Sequence, residues 1–153
     1  MTQIDQVAIV TPMAVGAGAV LCTIVIHALA LRASVNFFRR ETQLGHAGMR
    51  YLIDIAIVAL IMSFAFVAHV IEIALWALLF MICGEFHKFG PAYYHSAVNY
   101  TTLGYGDLIM NSSWKLLGPL EAADGSLMFG VSTAMIFAII LRLVQTRFAD
   151  LRD

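Results

Sequence analysis

Three apolar runs organise this chain. The first, Gln6 to Leu31, contains no Asp, Glu, Lys or Arg. The second, Ile55 to Gly84, is interrupted by His69 and Glu72. The third, from about Leu116 to Leu141, carries Glu121 and Asp124 near its start. Each exceeds the roughly 20 helical residues that span a bilayer. In lipid, a helix satisfies its own backbone groups where an isolated strand does not. The pattern therefore predicts three transmembrane helices. Between the second and third lies a mixed segment, Glu85 to Lys115. Here Pro91 suits the first position of a helix, and Ala92–Tyr100 gives a helix too short to cross. Thr101-Thr102-Leu103-Gly104-Tyr105-Gly106-Asp107 follows. A short helix leading into a glycine-punctuated extended segment predicts a re-entrant loop. Such backbone is tolerated at membrane depth only when buried in protein or lining a water-filled path.

Composition agrees with a membrane protein. The 153 residues are 61% hydrophobic and 12% charged, against roughly 25% charged in a soluble domain. A soluble fold of this size leaves about a third of its unfolded-chain surface in water and could not hide so much apolar area. A soluble enzyme, a disordered tail and a disulfide scaffold are excluded, and a net charge of −1 offers nothing to nucleic acid. Cys22 and Cys83 lie in apolar runs and read as buried thiols. The first run has no basic leader and is longer than a signal-peptide core, so it reads as a crossing.

Charge sets the expected orientation. The seven arginines fall in two places. Arg32, Arg39, Arg40 and Arg50 separate the first two runs, and Arg142, Arg147 and Arg152 close the third. Only Lys88 and Lys115 lie on the other side. The positive-inside rule puts the arginines in the cytoplasm, with the N-terminus and the Glu85–Lys115 segment outside. Phe37 and Phe38 beside Arg39 and Arg40 suit a linker on the membrane surface. Asp54 reads as a surface partner of Arg50.

The re-entrant segment carries the chemistry. Gly104 and Gly106 permit backbone angles closed to other residues, so successive carbonyls can face one side. Thr102 adds a hydroxyl. Oxygens about 3 Å apart suit stepwise dehydration of a monovalent cation. One chain supplies one wall, so a closed ring requires several copies.

Thr102-Leu103-Gly104-Tyr105-Gly106-Asp107 resembles the selectivity-filter signature of tetrameric potassium channels, which follows a short pore helix. The resemblance covers roughly Tyr51 to Val144, and the extra leading helix is most like some small bacterial ion-channel proteins. It implies an all-α membrane protein: three transmembrane helices, a re-entrant pore helix and an extended filter, assembled as a four-fold homotetramer in the lipid bilayer of a bacterial inner membrane. It divides the chain into an N-terminal helix and basic linker (1–50), a pore domain (51–145) and a short tail (146–153). Carried over, K+ would bind the carbonyls of Thr102, Leu103, Gly104 and Tyr105 and the Thr102 hydroxyl. Gly106 would face the outer mouth, Asp107 would ring it with negative charge, and Tyr105 would pack behind the filter. No cofactor beyond the permeant ion, and no catalysis, is implied. Two departures stand out. Family members often carry paired tryptophans where this chain has Tyr94 and His95, and some carry a glutamate at the position of Val98, paired to the filter aspartate.

On the third helix, Gly130 and then Gly125 are candidate gating hinges, with close helix packing as the alternative. The first helix lacks the arginines of a voltage sensor, and the residues after Arg142 are too few for a ligand-binding domain. His69 and Glu72 share a helix face, as do Glu121 and Asp124. They read first as a buried hydrogen-bond network behind the pore loop, with a pH sensor or a metal site as alternatives. His27 reads as packed or interfacial. The leading functional expectation is passive K+ conduction. The alternatives are a weakly selective cation channel, a metal-dependent membrane enzyme using His69, Glu72, Glu121 and Asp124, and a non-conducting accessory subunit.

Overall fold

A computed structural model of the protein describes residues 9–48 and 50–149. The Gln6 start of the first expected crossing, Arg152 and the end of the expected tail lie outside these residues. Four helices follow in order: α1 (Val10–Gln43), α2 (Tyr51–Ile82), α3 (Phe89–Tyr100) and α4 (Leu117–Ala149). The described residues include no strand. Helices α1, α2 and α4 are each long and apolar enough to cross a membrane. The all-helical, three-crossing class expected from the sequence is what the structure has.

The helix ends depart from the hydropathy boundaries. Helix α1 runs on through Phe37-Phe38-Arg39-Arg40 to Gln43, so most of the expected linker is helix. Likewise α2 begins before Ile55 and α4 continues past Leu141. Charge marks where a helix leaves lipid, not where its backbone bonding stops. The stop after α1 comes at Gly45 and Gly48, whose φ of 72° and 85° only glycine adopts cheaply. The three prolines share one setting. Pro12, Pro91 and Pro119 are each the third residue of a helix, where the missing N–H has no intrahelical partner to lose. Pro91 was expected first in the pore helix; α3 starts two residues earlier.

The chain divides into two compact units. One comprises the described residues up to Ile26 together with His69–Met128, and it contains α3 and the segment that follows it. Its core is built on Trp76, Phe80, Tyr100 and Leu117, all fully buried, with Ile73, Met110 and Met128 around them. The second comprises His27–Ala68 and the residues from Phe129 on. Its core joins Ile57 and Ile61 to Ile139 and Leu143, with Phe37 and Phe38 packed against them. Here His27 is buried, with Nε2 3.1 Å from Ser132 Oγ.

Asp54 is not the partner of Arg50. Its carboxylate accepts from Arg147 Nη2 at 2.7 Å and from the Gly48 N–H at 2.8 Å, and Arg147 also lies over the Tyr51 ring. Sequence adjacency suggested Arg50, but the turn at Gly48 and the last turns of α4 bring better donors. The cysteines also differ from expectation. Cys22 is exposed on the protomer and Cys83 half-buried, both as free thiols. In a membrane chain an apolar run is compatible with lipid as well as with a core. Asp54→Ala should remove two bonds to a half-sheltered carboxylate, costing about 1–2 kcal/mol after discounting for solvent. A lower thermal midpoint in detergent, compared with Arg50→Ala, checks this.

Candidate functional site

The site begins where α3 stops. The N–H of Thr102 donates to the Asn99 carbonyl at 2.8 Å, and that of Leu103 to Val98 at 2.9 Å. This is the Schellman pattern, in which a left-handed residue ends the helix and its own amide and the next one cover the last carbonyls. Glycine is the usual occupant of that left-handed position. Here it is Thr102, at φ 60°, the sole non-glycine residue with positive φ among the described residues. A β-branched residue held there costs about 1–3 kcal/mol.

The left-handed conformation then recurs at every second residue: Thr102 at 60°, Gly104 at 61°, Gly106 at 72°. Such alternation rotates successive peptide planes in compensating directions. The chain stays extended while neighbouring carbonyls need not point to opposite sides, as they do in a β-strand. Residues Thr101 to Asp107 are all exposed on the protomer, Leu103 at 54% and Tyr105 at 67%. Tyr105, expected to pack behind the filter, is uncovered within its own chain.

Two ties hold the loop. Tyr94 Oη donates to Asp107 Oδ2 at 2.8 Å, so the tyrosine in the first departed tryptophan position still reaches the loop aspartate. This bond, more than burial, pushes the Tyr94 phenol above its ordinary range. Asn111 donates its backbone N–H and its Nδ2 to the two Glu85 oxygens, at 2.9 and 3.3 Å, fastening the chain beyond the loop to the turn after α2. His95 is buried, its ring against Phe80 and Phe86. Burial pushes its pKa down, so the neutral ring can accept from Asn99 Nδ2, 2.9 Å from Nε2.

Behind α3 lie the four intramembrane polar residues read from the sequence. All four are buried, Glu72 and Glu121 completely. They do not meet as one cluster of ligands; each engages donors from other helices. Tyr100 Oη donates to Glu72, and His69 Nδ1 sits 3.1 Å from the same hydroxyl. Ser96 Oγ lies 2.5 Å from Glu121 Oε1 and 2.8 Å from the Ile73 carbonyl. Trp76 Nε1 donates to Asp124 Oδ2 at 2.9 Å, and Thr23 Oγ1 lies 3.0 and 2.9 Å from the two Asp124 oxygens. O–H and N–H donors aimed at carboxylates fit a hydrogen-bond network. Sequence reasoning missed Thr23, Ser96 and Tyr100. The signal for the last two was their spacing of four, which sets both on one face of α3.

Gly125 and Gly130 differ. A Cβ on Gly125 would collide with the Tyr100 carbonyl oxygen, whereas one on Gly130 would meet nothing within 4 Å. Gly125 is thus a point of close approach between α4 and the end of α3.

A family model described as ion channel matches residues 55–142, more than half of the chain. The chain belongs to this ion-channel family. No curated protein and no solved structure matches it. Within the ion-channel domain the match takes in α2, the pore loop and most of α4, so α1 lies outside what defines the family.

Two outcomes follow for this channel. Gly125→Ala should cost at least about 1–3 kcal/mol, as overpacking against a backbone that cannot yield. Gly130→Ala should be neutral or gain up to about 1 kcal/mol from helix propensity. Thermal midpoints of the two variants in detergent decide this. Tyr94→Phe should raise amide hydrogen exchange over residues 102–108 and leave exchange in α1 unchanged.

Proposed function

We propose that this ion channel is potassium-selective, conducting K+ passively through a homotetrameric pore lined by Thr102, Leu103, Gly104, Tyr105 and Gly106. The observation that carries the reading is the Thr102 turn. A glycine would end the pore helix there at less strain. A threonine held left-handed makes sense if its hydroxyl and carbonyl are both wanted, at the inner end of a row of oxygens. The alternating left-handed residues beyond it supply the backbone for such a row. Four copies around an axis would then replace the hydration shell of an unsolvated K+. The six-residue match to the potassium-channel signature supports the identity of the ion.

Tetramer formation is supported by the exposure of the entire loop. Leu103 and Tyr105 would be covered by neighbouring copies, and a wall of oxygens on one side of a pore binds ions poorly. Asp107, fixed by Tyr94, would ring the outer mouth with negative charge. In this reading the arginine-rich ends face the cytoplasm, the pore loop faces outward, and the protein sits in a bacterial inner membrane. It is not an enzyme, and it needs no cofactor beyond the permeant ion. Gly130, with open space around it, is the better placed of the two glycines for a hinge.

Purified protein in phospholipid vesicles should pass K+ at least about tenfold faster than Na+, a difference of about 1.4 kcal/mol between the two barriers. Gly104→Ala should abolish flux or the preference, because a Cβ is strained at positive φ. Equal permeability to both ions in the unaltered protein would sink the selectivity claim. A monomeric particle would sink the assembly.

A further inference from the structure

The leading helix lies outside the matched ion-channel domain, yet it reaches into the support of the pore loop. Thr23 is fully buried on α1. Its hydroxyl lies 3.0 and 2.9 Å from the two oxygens of Asp124, itself only 1% exposed. The hydroxyl is also 2.8 Å from the Val20 carbonyl. Its single proton can go to either acceptor, and in the second case a protonated Asp124 donates to the threonine oxygen instead. Both arrangements join α1 to α4 at this carboxyl group. Trp76 Nε1 fixes the Oδ2 side from α2. The next residue on α4 is Gly125, packed so closely on the Tyr100 carbonyl that no side chain fits between them. Tyr100 ends α3, and Thr102 follows two residues later. A nearby contact reinforces the seating of α1: a Cβ on Gly16 would meet Leu120 Cδ1 at 2.7 Å.

We propose that Thr23 is a positioning residue for the pore loop, acting through Asp124 and the Gly125–Tyr100 contact, so that the leading helix sets how readily the loop conducts. The proposal rests on the reading of that loop as a pore. A buried carboxyl group in a membrane helix is costly, and packing α1 on α4 would have needed only apolar residues. The polar joint gives that packing a fixed register beside the one place where α4 touches the end of the pore helix. Movement of α1 along or about its axis would be passed to Asp124, and from there to the backbone under Thr102. The leading helix is then a handle on the pore loop rather than a passive lipid-facing shell.

The test uses full-length protein in vesicles of neutral and anionic phospholipid, with flux normalised to assembled particles. Thr23→Val keeps the shape and removes the hydroxyl. It should change the K+ flux by about threefold to tenfold, the change that one hydrogen bond to a buried group carries. Thr23→Ser should return flux to within about twofold of the unaltered protein, on the same principle. The K+ to Na+ ratio should stay constant across the series, since the oxygens of the loop are untouched. If Thr23→Val does not assemble, Thr23→Cys replaces it: close to serine in size, with only a weak S–H donor, it should conduct measurably differently from Thr23→Ser. Unchanged flux in Thr23→Val, or equal flux in the Cys and Ser variants, overturns the proposal while leaving the pore reading intact. Absence of K+ flux in the unaltered protein overturns both.

Discussion

The left-handed turn at Thr102 is the constraint around which the pore-loop unit is arranged. A helix that ends at Tyr100 must give its last carbonyls donors, and the amides of Thr102 and Leu103 supply them only if Thr102 takes a positive φ. With threonine in that position the turn is strained by about 1–3 kcal/mol, and such strain persists only where its surroundings over-determine it. The surroundings do so. Ser96 is tied to α2 through the Ile73 carbonyl and to α4 through Glu121; Tyr100 is tied to Glu72 and pressed on Gly125. Downstream, Tyr94 holds Asp107 and Glu85 holds Asn111. The loop is thus held from both ends while its middle is left open.

Buried carboxyl groups are an expensive way to build such a frame. Apolar residues of similar volume would often pack as stably. What they lack is direction. A Leu at position 121 or 124 would fill space equally well after a small rotation of α4, whereas Asp124 has to meet Trp76 Nε1 on α2 and Thr23 Oγ1 on α1 together. The frame trades stability for register, and register is what a loop of alternating backbone conformations needs. The same logic accounts for Gly125. Its missing Cβ lets α4 approach the Tyr100 carbonyl more closely than any side chain allows.

Much of this was legible in the sequence. Three long apolar runs fixed the crossings, because a bilayer imposes a length and forbids unpaired backbone. The glycine spacing after a short helix marked the loop, and the lone charged residues inside apolar runs marked the frame. What stayed hidden had physical causes. Hydropathy reports the edge of lipid and not the end of a helix, so α1 outran its expected limit at Leu31 to reach Gln43. An apolar neighbourhood says nothing about burial inside protein, so Cys22 was misjudged. A carboxylate's partners depend on which helices pack beside it, so Asp54 was given to Arg50 instead of Arg147. Thr23 had no signal, since a threonine in an apolar helix usually bonds its own backbone, as the Val20 carbonyl here still offers.

The turn at Thr102 and the loop after it also bear on the proposed assembly. On the protomer the Leu103 and Tyr105 side chains of this loop are exposed, and exposed apolar surface of this kind marks a place for a partner. Among the described residues, the contacts that hold the loop lie at its two ends. In the proposed pore, neighbouring copies would cover these side chains and cations would meet the peptide oxygens. A symmetric ring of identical chains would supply both at once, because every copy would present the same loop to its neighbour and to the axis. In that arrangement the loop would be best supported where it is also functional, and the cation would be a structural component of the site it passes through.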